Sequence, residues 1–343
     1  MPGIVIDISR PPSEKERVLL SRRRARLEAM AESAGKATVA MKMLAEGSGI
    51  EALLVRPQFV RMSTSGNRPR STPARGEPSD RRLPRPADRP PATRLMSPRG
   101  AALRFYLTAL FEAQAGTRPG RRPRNQRPLQ AGGGDVISWA DLLASPAQAA
   151  VSGNTVMRVA DKKARQMSST LARLASEELV ELTHSGEPGI RKYERFRLLH
   201  EGGRRPTGTN IAYEVPLRDP AFPVPAMLFT GGWIHVLEDT ELAFILMLAA
   251  CHHENGGQQV SIPGETRLDR YGIGRDAYEA HKMLSRVGLV TVTADPGRHP
   301  DGKVEGYNEG DQPLLHAFSF HPGQFSRDAM TELRTQIDGQ LSR

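Results

Sequence analysis

ELAFILMLAA (241–250), VSIPGETRLDRYGIGRDAYEAHKMLSRVGLVTVT (260–293) and PLLHAFSF (313–320) are the three runs of one stretch, Leu242–Phe320, on which the reading of the fold turns. Leu242, Ile245, Leu246 and Ala249 recur at helical spacing. A short extended run at Val260 precedes a second helix, Glu265–Tyr271, which Gly272 can stop as a left-handed cap. Ile273 and Gly274 make a tight turn, and a third helix is expected over Arg275–Val287, ended by Gly288. LVTVT and LLHAFSF alternate as strands on either side of a polar loop, 294–312. The order is helix, short strand, helix, turn, helix, strand, loop, strand.

A looser copy spans Arg99–Glu201. Leu103, Tyr106, Leu107, Leu110 and Phe111 mark its first helix, and VISWADLLA (136–144) reads as a short strand and short helix. A further helix is expected from about Thr155 to Ser176, with Met167, Leu171 and Leu174 inward. LVELTH and YERFRLL then read as two strands joined by SGEPGIRK. SSTLARLASEELVEL (168–182) and YEAHKMLSRVGLVTV (278–292) match in kind: a helix with a trailing Leu, four residues, then a Leu-Val strand start.

GETRLDRYGIGRDAYEAHKMLSRVGLV (264–290), with the strands around it, resembles the winged helix-turn-helix superfamily. The likeness covers roughly 100–201 and 228–322, and it is loosely similar to the tandem winged helices of bacterial plasmid replication initiators. It implies an α+β chain with two tandem winged helix-turn-helix domains, whose third helices enter the major groove of double-stranded DNA. Projection at 100° per residue places Arg275, Tyr278, Lys282 and Arg286 on the outward side of the later helix, opposite Ala277, Ala280, Leu284 and Val287. In the earlier helix Arg158, Lys162, Arg165 and Ser169 face out, with Gln166 and Arg173 at the margins. Arg and Gln are side chains that pair bidentately with guanine and adenine. Arg191 and Lys192 lie at the tip of the earlier hairpin, suited to phosphate or the minor groove. The later loop holds Asp295, Asp301, Glu305, Glu309 and Asp311 against Arg298 and Lys303, so phosphates would repel it.

The domains expected are a basic arm over 1–98, a winged-helix domain over 99–203 with a basic insertion at 115–134, a linker over 204–227, a second winged-helix domain over 228–325, and a tail over 326–343. Charge supports a polyanionic partner. Residues 1–135 hold 26 basic and 12 acidic side chains, whereas residues 136–343 hold 22 and 26. The bland alternative is a solubilising tail. Residues 10–46 read as a charged helix or two, with Arg22, Arg23, Arg24 and Arg26 as a basic knot suited either to DNA phosphates or to a solvated face. Residues 66–99 combine prolines and arginines with little to bury, which predicts a disordered linker. The 115–134 loop is expected to order only on contact.

Enzymatic signals are missing. There is no GxxxxGK[ST] phosphate loop and no GxSxG nucleophile turn. Cys251, His252 and His253 are adjacent, with no second pair at zinc spacing, so no metal, cofactor or small-molecule ligand is expected. One cysteine excludes an internal disulfide and suits a reducing cytoplasm. The opening MPGIVIDISR lacks a secretory core, and Leu242–Ala250 is about half a membrane span. The expectation is a cytoplasmic, nucleoid-associated, non-enzymatic DNA binder, with a homodimer as a further partner state. Transcriptional regulation comes first, plasmid or mobile-element replication initiation second, and a protein-binding adaptor third.

Overall fold

Thirty-five residues of uninterrupted helix open the folded chain, over a region whose charge predicts a solvated arm. In this computed structural model the described residues are 4–5, 11–62, 83–97, 101–130, 136–145, 150–152, 155–157, 159–183, 193–203, 211–217, 219–295, 299 and 314–343. The elements begin with β1 (Ile4–Val5), α1 (Glu14–Ser48), β2 (Ala52–Val55), α2 (Pro57–Val60), α3 (Pro91–Arg94) and α4 (Ala102–Gly116). There follow β3 (Ala150–Ser152), β4 (Thr155–Met157), α5 (Val159–Ser176), β5 (Val180–Glu181), β6 (Arg197–Leu198) and β7 (Phe222–Pro225). Next come α6 (Met227–Thr230), α7 (Trp233–Val236), α8 (Asp239–Glu254), β8 (Val260–Ser261) and α9 (Gly264–Tyr271). The last are α10 (Arg275–Tyr278), α11 (Ala280–Arg286), β9 (Val290–Ala294), β10 (Ala317–Phe320) and α12 (Ala329–Leu341). The class is α+β, mostly helical with small antiparallel sheets.

Two compact units share the chain discontinuously. The first, a sheet unit, takes Met1–Arg10, Pro57–Arg94 and Thr240–Gln324. Its sheet runs β1-β9-β10-β8. α8 is apolar on every side and buried from Leu242 to Cys251, with Phe244 5.5 Å from Phe318 between ring centroids. α9 ends at Gly272, whose φ of 65° is the left-handed conformation that glycine adopts without Cβ strain. The helix expected over Arg275–Val287 is instead two helices that meet at Glu279. There Lys282 N–H bonds to the carbonyl three residues back at 3.1 Å, and the His281 ring takes the Tyr278 carbonyl.

The second, a helical unit, takes Pro11–Arg56, Leu95–Asp239 and Phe325–Arg343. α1 begins in a capping box, Ser13 with Glu16, and ends at Gly49 with φ of 67°. Its buried positions Leu20, Arg23, Leu27, Met30, Ala34, Ala37 and Met41 alternate steps of three and four, a heptad seam. That seam packs on α12, α6, α4 and α7. Arg24 pairs with Asp338 at 2.6 Å, and Arg26 with Glu238 at 2.8 Å. The basic knot therefore grips this unit's own acids at two of its members. β2 pairs with β7, and Arg56 at its end pairs with the fully buried Glu201, whose acidity burial lowers against the pull of Arg56.

Several expectations are corrected here. The helix expected over 10–46 is present as α1 but lies in a core. Of the linker expected to be disordered over 66–99, the residues 83–97 are folded, with Pro84, Pro90, Pro91, Ala92 and Thr93 buried in the sheet unit, while 66–82 lie outside the described residues. Proline removes donors but its ring still buries apolar area, which is how a Pro-rich run can dock. The expected linker contains β7, and the tail after Phe325, which reads as mildly helical, is α12. Residues 138–142 form turns, tied by Ser138 N–H to Asp141 at 2.8 Å, where a strand and helix were expected.

Inside the two units one substructure occurs twice. Leu179 N–H bonds to the Leu174 carbonyl at 3.0 Å, and Leu289 N–H to the Leu284 carbonyl at 2.9 Å. Each closes a helix through a left-handed residue, Glu178 at φ 57° and Gly288 at φ 73°. Val180 then pairs with Leu198, as Val290 pairs with Phe320. The Leu179 carbonyl accepts from Leu199 N–H at 2.9 Å, and that of Leu289 from His321 N–H at 3.0 Å. A phenylalanine from the preceding long helix meets one at the hairpin's second arm in both: Phe105 with Phe196, just before β6, at 5.6 Å, and Phe244 with Phe318 in β10 at 5.5 Å.

Candidate nucleic-acid interface

In this repeated frame the helix before the left-handed turn is the one whose outer face is presented by the hairpin behind it. On α5, Met167, Thr170, Leu171 and Leu174 are buried, and Arg165, Ser169, Ala172 and Arg173 are exposed. Arg173 pairs along the helix with Glu177 at 2.9 Å and keeps half of its side chain exposed. The Glu177 carboxylate in that pair is mostly buried, so the outer half of the Arg173 side chain is what reaches solvent. Lys162 is half-buried. Gln166 departs from the projected margin: its Oε1 accepts from Ser145 Oγ at 3.1 Å, and it lines a cleft between α5 and residues 140–145. Arg158, Arg191 and Lys192 lie outside the described residues, as does most of the 294–312 loop.

The corresponding face in the sheet unit is largely engaged. Tyr278 is only 6% exposed, with its hydroxyl 2.7 Å from His316 Nδ1. The Arg267 guanidinium lies over its ring at 3.7 Å. The projection that put Tyr278 outward assumes one continuous helix, whereas the helix is broken at Glu279 into α10 and α11. Lys282 is ion-paired to Glu279, its side chain 25% exposed, and the Nε of Arg286 is buried. Arg275 is exposed, but beside it the turn is covered by the same unit's own chain. A Cβ at Gly272 would fall 2.5 Å from Thr93 Oγ1, and one at Gly274 would fall 2.9 Å from Leu83. Of this stripe only Arg275 is both cationic and fully outward.

A third basic element was not among the expected contacts. Residues 117–130, expected to be unordered without a partner, are fixed along the helical unit. Gly120 N–H donates to the Val215 carbonyl and Val215 N–H to that of Arg121, both at 2.9 Å. Asn125 Nδ2 donates to the Phe196 carbonyl at 3.1 Å, while its Oδ1 accepts from Trp139 Nε1 at 3.1 Å. Arg127 pairs with Glu112 at 3.1 Å and lies over Trp139. Arg118, Arg121, Arg122 and Arg124 stay exposed. The basic Gly/Pro character of this loop is legible in the sequence; the Asn125 hook that anchors it is not.

Among the described residues no group of three or more His, Cys, Asp and Glu could hold a metal ion, and no helix is long and apolar enough to cross a membrane. The lone Cys251 is buried, its Sγ 3.2 Å from the Tyr271 hydroxyl. No family model, curated protein or solved structure matches the chain.

Proposed function

We propose that the chain is a non-enzymatic double-stranded DNA-binding protein with two winged helix-turn-helix units, in which α5 reads the major groove. The observation that carries this reading is the outward face of α5, where Arg165, Ser169 and Arg173 stand exposed over a buried Met167–Leu171–Leu174 side. A groove-reading helix needs that division between packing behind and long donors in front. The excess positive charge of residues 1–135 supplies the attraction that brings a duplex to it. The sheet unit, with its later helices engaged by Glu279, His316 and residues 83–93, serves protein contacts, a second copy of the chain among them. Regulation of transcription is the leading use in this proposal, and initiation of plasmid or mobile-element replication is the second.

The test is a gel shift with fragments of the source genome, followed by footprinting of the retained fragment. Protection of an operator over a promoter supports regulation. Protection of direct repeats beside an AT-rich segment supports initiation. No retained fragment at low salt would sink the DNA-binding reading and leave an adaptor.

A further inference from the structure

Residues 117–130, which follow α4, stand where the sheet unit has β8. In that unit β8 follows the long helix and pairs with the hairpin's outer strand at Phe318, through Val260. In the helical unit the matching strand residue is Phe196, and its carbonyl is taken by the Asn125 amide. A ladder strand has been replaced by a hooked, basic strap.

We propose that this strap is a phosphate clamp, in which Arg118, Arg121 and Arg124 grip the sugar-phosphate backbone of the duplex that α5 reads; the inference rests on the DNA-binding proposal and assigns it a separate affinity element. Arg121 N–H bonds to the Arg118 carbonyl at 3.2 Å across Pro119-Gly120, and Gly120 has φ of 75°. Proline then a positive-φ glycine is the signature of a type II turn, which holds its first and last Cα atoms within about 7 Å. Two arginines thus bracket one turn tip as a fork. The tip is open, since a Cβ built on Gly120 meets nothing within 4 Å.

Charge along the strap is sorted. Arg127 is neutralised by Glu112 and Arg122 by Glu214 at 3.0 Å. Arg118, Arg121 and Arg124 meet no carboxylate among the described residues. The strap carries no large exposed apolar side chain from Thr117 to Arg124, so a lipid surface or a greasy protein groove has nothing to bury there. Fixing the backbone beforehand lowers the ordering entropy lost on binding. Guanidinium groups on a rigid backbone fit phosphate oxygens, and such contacts add affinity without sequence preference.

The experiment measures affinity of the full chain for a short mixed-sequence DNA duplex by fluorescence anisotropy across a range of KCl concentrations. The variant R118Q/R121Q/R124Q is expected to lower the slope of log K against log salt by about 2–3, at roughly 0.9 for each phosphate no longer neutralised. Affinity should fall alike for every sequence. The charge-keeping variant R118K/R121K/R124K should restore most of the slope, which a loss of folding would not allow. A glutamine variant with the wild-type slope, or a lysine variant as flat as the glutamine one, overturns the clamp while leaving DNA binding by α5 intact. If the wild-type chain itself binds no duplex, both proposals fall together.

Discussion

The two repeats, one around α5 and one around α11, agree where backbone hydrogen bonds and buried side chains set the geometry, and differ where water does. Helix end, left-handed turn, hairpin register and the pair of phenylalanines are the same in both. The outer edge of the hairpin differs, with β8 in one and the Asn125 strap in the other. So does the helix face, which in the sheet unit is engaged by Glu279, His316 and Arg267 and in the helical unit is left exposed at Arg165 and Ser169. A frame held by Leu and Phe side chains tolerates either surface, because those side chains pack behind it.

If the frame is shared, it should fail alike. Phe105→Ala and Phe244→Ala each remove a fully buried ring from the same junction of long helix and hairpin. Each is expected to cost about 3–5 kcal/mol, read from urea midpoints. A loss below about 1 kcal/mol at one site only would break the equivalence of the two repeats.

How much of this was legible depended on the contrast between apolar and polar residues. The stretch 260–293 is readable because Gly272 and Gly288 punctuate it, and both do sit at positive φ. The matching turn at Glu178 carries no glycine and shows only in the spacing from Leu174 to Leu179. α1 reads as solvated because its seam is largely alanine and methionine, with Arg23 in it, so charge on the outer faces outweighs a regular 3–4 alternation. The bend at Glu279 leaves no sequence signal: it involves the His281 ring at the Tyr278 carbonyl, a contact that wheel projection cannot anticipate. The Pro and Arg content of the strap and of residues 83–93 points to disorder, although Leu95, Trp139 and Asn125 supply the anchors nearby.

Acid should separate the regions next. In the helical unit His235 is fully enclosed, and burial together with the nearby Arg104 charge lowers its pKa to about 3. A histidine held neutral in the fold but free to protonate when unfolded stabilises the fold above about pH 6.5, and this is lost as pH falls toward 3. Between those limits the loss is on the order of 1.4 kcal/mol per pH unit. His235→Gln should flatten the fall in stability between pH 6.5 and pH 5 by about that slope. Parallel losses in variant and wild type would show that another group drives the acid response.

The surfaces are compared by paired substitution. Arg165→Ala with Arg173→Ala should weaken binding to the footprinted site by about 1–3 kcal/mol for each base that the helix can no longer reach, and relax its sequence preference. Arg275→Ala with Lys282→Ala should leave that preference unchanged, because Lys282 is held by Glu279 and the turn before Arg275 is covered by Leu83. The reverse outcome, measured by competition with mutated sites, would reassign the reading helix to the sheet unit.

The smallest effect probes the left-handed turn, a frame position that the two repeats fill with different residues. Glu178 holds φ of 57° with a Cβ, a conformation that costs an L-residue roughly 1–2 kcal/mol, whereas Gly288 holds φ of 73° without that penalty. Glycine also loses more chain entropy on folding, about 0.5–1 kcal/mol against alanine, which offsets part of the gain. Glu178→Gly is therefore expected to stabilise the chain by up to about 1 kcal/mol, and Gly288→Ala to destabilise it by about 1–2 kcal/mol. Opposite signs from thermal or urea unfolding mean that the two turns are one conformation filled by two residue types. Destabilisation in both would instead mean that the Glu178 side chain contributes more to its turn than its left-handed backbone costs.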